Sequence, residues 1–168
     1  MAFHEIKVND LNENVFNLIG KDWFLISAEK EGTVNTMTVA WATVGILWQK
    51  NVVMVAVRPE RYTKEFLDAS DTFSLTVFDK SYKKMLGYCG TVSGRDEDKI
   101  AKSNLTINHI DGTPYFEEAD MVIVCKKLYA QEMKPECFII KELDSENYPK
   151  KDYHTLYISE IEKIYRKG

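Results

Sequence analysis

Phe73-Ser74-Leu75-Thr76-Val77-Phe78 alternates apolar with small polar residues. That is the period of a β-strand with one drier face. Five further runs share its enrichment in β-branched and aromatic residues: Trp23–Ala28, Met37–Thr43, Val52–Val57, Met121–Cys125 and Thr155–Ile161. Turn chemistry punctuates them, with Glu31-Gly32 after the first and Asp111-Gly112-Thr113-Pro114 before Met121. Helical signals are shorter. Residues 62–69 set Phe66 and Leu67 among polar neighbours, and residues 81–89 place Tyr82, Met85, Leu86 and Cys89 on one stripe. Ser93-Gly94-Arg95-Asp96 has a capping pattern that opens a third helix containing Ile100 and Ala101, with Asp98 and Lys102 spaced as an i,i+4 pair. Residues 144–153 (DSENYPKKDY) are polar, contain Pro149 and read as a surface loop. Many strands, few helices and no regular βα alternation predict an antiparallel barrel with appended helices.

The chain has 168 residues, no internal repeat and no long linker, which suits one domain over residues 1–168. The longest wholly apolar run, Val52–Val57, is far short of the roughly 20 residues of a membrane span. The opening MAFHEIKVND has no apolar core of a secretory signal. With 22 Lys+Arg against 26 Asp+Glu the net charge is −4, unsuited to a dedicated nucleic-acid binder. Cys89, Cys125 and Cys137 are odd in number and lack a C-x-x-C spacing, so the expectation is free thiols in a reducing cytoplasm.

G-x-S-x-G, H-E-x-x-H, G-x-x-x-x-G-K and G-x-G-x-x-G are all missing, and the three histidines are isolated. Hydrolysis by a triad or a metal has no support. What remains is polar residues at element ends. Asn35-Thr36-Met37-Thr38 opens a strand that contains Trp41. Amide, hydroxyl and backbone donors beside an aromatic wall suit a planar heterocycle, whose edge accepts hydrogen bonds and whose faces are apolar. The same residues also suit a turn satisfying its own backbone, with Trp41 in the core. Arg58-Pro59-Glu60-Arg61-Tyr62-Thr63 leads into a helix and joins a guanidinium, a hydroxyl and free N–H groups, the parts of a phosphate site. A capped surface helix with solvated arginines is the alternative. In Cys89–Lys99, Gly90 and Gly94 let backbone approach a ligand, and Arg95 or Lys99 can meet an anion.

In order and approximate spacing these segments resemble the flavin reductase-like, FMN-binding split-barrel family, above all its flavoredoxin-type members. Asn35–Trp41 is similar to the family's N-x-M-T-x-x-W strand, Arg58–Thr63 to its R-x-x-R-x-T turn, and Tyr88–Lys99 to its S-G-R/K-D-x-D-K segment. His154–Ile161 is similar to its closing strand. The resemblance implies a split β-barrel, a homodimer, and FMN near the subunit interface. It implies flavin contacts from Asn35, Thr36, Met37 and Thr38, with Trp41 nearby. It implies phosphate contacts from Arg61, Tyr62 and Thr63, with Ser93, Gly94, Arg95 and Lys99 alongside. The expected function is a redox protein moving hydride or electrons through bound flavin, fed by NAD(P)H or a redox protein. Non-enzymatic storage or sensing of FMN is the alternative. Two departures stand out. The family's G-D-H becomes Lys151-Asp152-Tyr153-His154, and Ser159 replaces a commoner glycine. His154 is the residue expected near a nicotinamide, and Tyr153 is expected to cover one flavin face and slow that route.

Overall fold

The computed structural model describes residues 2–168. Ten strands and five short helices follow in the order β1 (Phe3–Ile6), α1 (Val15–Asn17), β2 (Phe24–Lys30), β3 (Thr33–Val39), β4 (Ala42–Leu47), β5 (Lys50–Val57), α2 (Tyr62–Ala69), β6 (Thr72–Val77), α3 (Lys83–Thr91), α4 (Lys99–Lys102), β7 (Ile107–Ile110), β8 (Thr113–Phe116), β9 (Met121–Glu132), α5 (Lys141–Asn147) and β10 (Thr155–Lys167). Eight strands form one antiparallel sheet ordered β3-β2-β6-β9-β10-β5-β4, with β1 added to the end of β10, while β7 and β8 form a separate hairpin. The sheet curls without closing: β3 and β4 are its edges. This is a split barrel.

Three hairpin loops share one turn geometry. Glu31-Gly32, Trp48-Gln49 and Asp111-Gly112 all have positive φ at both loop residues. That is the signature of the type I′ turn, whose twist matches that of paired strands. Two of these turns carry glycine. Trp48-Gln49 carries none, so nothing local in the sequence marks it.

Two apolar layers cover opposite faces of the sheet. Inside the curl lie Phe24 and Ile26 of β2, Val53, Val55 and Val57 of β5, Phe73 and Leu75 of β6, and Ile123 of β9, with Phe66 and Leu67 of α2 packed on them. Outside, Leu25, Val122 and Val124 pack against Leu86 and Cys89 of α3, Ile100 of α4 and Phe116 of β8. The alternating strand β6 therefore has no wet face. Its Ser74 and Thr76 are fully buried, and their hydroxyls donate to the carbonyls of Pro114 and Leu25. A buried hydroxyl with an acceptor is tolerated where an orphaned one is not.

Three sequence expectations need correction. The run Met37–Thr43 is two strands, because the chain breaks at Ala40-Trp41 between β3 and β4. Residues 144–147 extend no loop but close helix α5, a polar surface helix without a buried residue and hence without an apolar stripe to betray it. The cap of α4 is Asp98, whose carboxylate accepts from the Ala101 amide, and not Ser93, whose hydroxyl accepts from Arg95 one turn earlier. With Asp98 so occupied, Lys102 pairs with Glu97. No described helix is long and apolar enough to cross a membrane.

Candidate functional site

The barrel opens between β3 and β5, and two adjoining clefts lie there. The first, of about 220 Å³, is lined by Met37, Thr38, Val39, Ala40 and Trp41, with Ala56, Arg58, Arg61, Gly90 and His154 around them. The second, of about 180 Å³, is lined by Met37, Glu60–Thr63, Thr91–Gly94 and Lys99. Met37 and Arg61 are common to both. Joined across these residues, the clefts reach the size of ordinary small-molecule sites, about 300–1,000 Å³.

The second cleft has the features of an anion site. Helix α2 begins here with no side chain capping its first N–H groups, and uncapped amides at a helix start carry partial positive charge. Asn35 Nδ2 donates to Thr63 Oγ1 at 2.9 Å in a buried bond, which leaves the Thr63 hydroxyl hydrogen free for a ligand. Gly94 brings the opposite wall close. A Cβ there would lie 2.3 Å from Asn35 Oδ1 and 3.2 Å from Tyr62 Cδ1, so any side chain would push the Ser93-Gly94 turn out of the cleft.

Two cations at this cleft form no ion pair among the described residues. Arg61 is half-buried, donates from Nε to Met37 Sδ at 3.4 Å, and forms no ion pair among the described residues. Burial pulls its pKa down, partly offset by the neighbouring Glu60 charge. Lys99 is 3% exposed and donates to the carbonyls of Cys89 at 3.0 Å and Val92 at 2.9 Å. Burial lowers its pKa to about 8, and Arg61 adds to the shift while Cys89 opposes it. Arg61 thus disfavours the charged form of Lys99 beside it, an arrangement that suits a site for negative charge.

The first cleft suits a flat ring. Trp41 is 50% exposed and stacks on His154, ring centroids 4.8 Å apart at 33°. Gly90 of α3 lets that helix pack on β3, since a Cβ there would lie 3.2 Å from Thr38 Cβ. His154 is 6% exposed. Burial lowers its pKa to about 4, Arg58 contributes in the same direction, and Asp152 opposes. The imidazole is therefore neutral at ordinary pH.

The residues singled out from sequence fall into three groups. Met37, Thr38, Trp41, Arg61, Tyr62, Thr63, Ser93, Gly94, Lys99 and His154 line the joined clefts. Asn35 and Thr36 are buried behind them; Asn35 orients Thr63, and Thr36 bonds to Ser27 and to the Ile26 carbonyl. Arg95 turns away, pairing with Glu65 and lying over the Tyr62 ring. Tyr153 does not cover the cleft. It is buried against Tyr148 and Phe138 and donates to Asp144 of α5. Cys89 lies in the outer core, where burial raises its pKa.

Sequence reading passed over Arg58 and Tyr148. Arg58 pairs with Asp152 at 2.5 Å, donates to the Asn147 carbonyl at 3.0 Å and sits over the Tyr148 ring at 5.1 Å. It pins the segment before β10 to the cleft wall. Arg58 stood in a quoted motif, but Tyr148 gave no signal, because its place depends on α5.

The sequence model of the flavin reductase like domain matches residues 17–168. No curated protein sequence matches the chain. Among solved structures it is similar to the FMN-binding domain of a flavin reductases-like enzyme from Shewanella baltica OS155, with 17% identity over 98% of this chain and 77% of that one, TM-score 0.70. It is similar to flavoredoxin from Methanosarcina acetivorans, with 19% identity over 98% of this chain and 76% of that one, TM-score 0.70. It is also similar to flavoredoxin of Desulfovibrio vulgaris (Miyazaki F), with 23% identity over 96% of this chain and 77% of that one, TM-score 0.66. These likenesses establish the split-barrel fold, and the family match, running through both clefts to the end of β10, establishes that the chain belongs to the flavin reductase-like domain family.

Proposed function

We propose that this protein binds FMN across the two joined clefts and works as a redox protein of flavoredoxin or flavin reductase type. The observation that carries the reading is Arg61, a half-buried guanidinium with no carboxylate partner, at the junction of an anion cleft and a ring-sized cleft. A ligand that is a flat ring at one end and a phosphate at the other fits this junction. The residues that would hold the phosphate are Arg61, Thr63 with the first amides of α2, and the Ser93-Gly94 turn, with Lys99 adding charge from behind. The ring would lie against Met37–Trp41. The structural relatives named as FMN-binding and as flavoredoxin support the same choice.

When bound, flavin supplies the redox chemistry, taking or giving a hydride or single electrons. The chain's own residues bind and orient. Arg61 and the α2 amides fix one end by charge, the β3 edge fixes the other, and the neutral His154 adds no charge beside the ring. No side chain need act as acid or base, which agrees with the missing catalytic constellations. With Tyr153 turned into the core, the cleft is open at Trp41, so the donor meets the ring there. We propose a homodimer that covers part of this opening; the exposed Trp41, Ile46, Leu47 and Trp48 around β4 supply apolar surface for it.

The test is direct. Full-length protein mixed with FMN and freed of excess flavin should keep the visible absorption of an oxidised flavin. Rapid mixing with NADH, NADPH or a reduced ferredoxin-type protein should then bleach it, and the fastest donor identifies the route. Flavin that binds but is reduced by none of them would assign the protein to storage or sensing.

A further inference from the structure

Behind the Trp41–His154 stack, the Tyr148 hydroxyl lies 2.7 Å from His154 Nδ1 and 3.3 Å from Met133 Sδ. His154 lines the ring-sized cleft, and its Nε2 has no hydrogen-bond partner among the described residues. A neutral imidazole carries one N–H, so Tyr148 decides what the cleft sees. If the phenol donates to Nδ1, Nε2 carries the hydrogen and offers a donor. If the phenol donates to Met133, Nδ1 carries the hydrogen and Nε2 is a bare acceptor.

Two observations favour the first arrangement. A thioether is a weak acceptor, whereas an imidazole nitrogen is a strong one. The Arg58 guanidinium over the Tyr148 ring makes the phenol a better donor.

We propose that Tyr148 is a positioning residue that locks His154 as the Nε2–H tautomer, so that the cleft donates a hydrogen bond to the carbonyl oxygen of a flat ring compound stacked beside Trp41. The inference rests on the flavin reading for the identity of the neighbouring group, and it names the chemistry of the molecule that exchanges electrons there: a planar ring bearing a neutral carbonyl. An acceptor-only ring edge would meet no donor from His154 in the second arrangement, and a carboxylate would gain little from Arg58, which is already paired with Asp152 at 2.5 Å.

Nitrogen-15 NMR of the histidine ring reads the tautomer directly. In the full chain before flavin is added, His154 should show a protonated-type Nε2 and an unprotonated-type Nδ1. Tyr148→Phe, which keeps the ring and removes only the hydroxyl, should yield a mixture of tautomers. In the FMN-loaded protein, benzamide as probe should shift the Nε2 signal and bind about two- to tenfold more weakly to Tyr148→Phe. A wild type protonated at Nδ1, or a Tyr148→Phe spectrum identical to wild type, would overturn the lock. An Nε2 signal unmoved by saturating benzamide would overturn the carbonyl assignment. Failure of the flavin reading is a separate result, since it shows as loss of FMN binding and leaves the tautomer measurement intact.

Discussion

Arg61→Ala separates a phosphate role from a structural one. Arg61 forms no ion pair among the described residues; its side chain donates to Met37 through Nε, and burial lowers its pKa. In the flavin-free protein it is therefore a cation held at a cost, and it also lowers the pKa of Lys99. Removing it loses some packing but relieves that repulsion, so the flavin-free protein should unfold at nearly the wild-type denaturant midpoint. Binding should respond very differently. A charge-assisted hydrogen bond to phosphate contributes about 1.5–3 kcal/mol. Its loss weakens FMN by about tenfold to 150-fold, since 1.4 kcal/mol is a factor of ten. Riboflavin lacks the phosphate and should weaken less than threefold. Quenching of flavin fluorescence on titration measures both affinities. Equal losses for FMN and riboflavin, or a large fall in the unfolding midpoint of the flavin-free protein, would show that Arg61 acts by holding the fold.

Gly94→Ala should cost about 1–3 kcal/mol of stability or of FMN binding, because its Cβ would lie 2.3 Å from Asn35 Oδ1; Gly90→Ala, facing a 3.2 Å contact with the Thr38 side chain, should cost less, and urea unfolding ranks the two. Lys151 has φ 59°. Lys151→Gly relieves about 1–2 kcal/mol of left-handed strain against about 0.5–1 kcal/mol of added chain entropy, so its urea midpoint should rise slightly despite the lost, exposed pair with Asp144. His154 has a folded pKa of about 4, below the usual 6.5. The unfolded chain binds more protons between these values, so the neutral-pH stability falls as pH drops from about 6.5 to 4, by up to about 3 kcal/mol. In His154→Gln that part of the acid limb should flatten, and an unchanged limb would mean that His154 protonates freely in the fold.

The strands were legible where local chemistry agreed with the fold. Val52–Val57 and Phe73–Val77 are β-rich and lie between neighbouring strands, Phe73–Thr76 buried on both faces and Val52–Val57 with Met54 and Ala56 partly exposed. Glu31-Gly32 between β2 and β3 and Asp111-Gly112 between β7 and β8 were readable as turns because glycine favours positive φ. Legibility ended where tertiary contacts replaced local signals. Trp48-Gln49 adopts the same turn without glycine. Helix α5 has no apolar stripe, so its polar residues resembled a loop. The site followed the same rule. Arg61, Thr63 and Gly94 were readable because charge, hydroxyl and missing Cβ are local properties. The roles of Arg58 and Tyr148 arise only when residues 147–154 fold back on the end of β5, which spacing does not encode. Arg95 could not be told from Lys99 by sequence, since both are cations in one turn. Only the fold shows that Arg95 has Glu65 and Lys99 has no acid.

The break at Ala40-Trp41 links this topology to the proposed activity. Had β3 run on through Thr43, as its composition suggests, its end would have stayed in the sheet and Trp41 would have packed into a wall. Instead β3 stops at Val39 and β4 leaves along β5, held by the Ala56 amide donating to the Trp41 carbonyl at 3.1 Å. The barrel is thereby split at this place, and the gap exposes Trp41 on one side and Arg61 on the other. A closed barrel would have satisfied more backbone and offered no site. The open seam leaves β3 an edge strand, and helix α3 protects part of it by packing Gly90 against Thr38. Both residues of this contact, Thr38 and Gly90, line the cleft. Stability of the seam and binding of a flat ligand are therefore coupled through one contact between α3 and β3, and a ligand that fills the cleft should stabilise the fold by an amount that grows with the logarithm of its concentration over its dissociation constant.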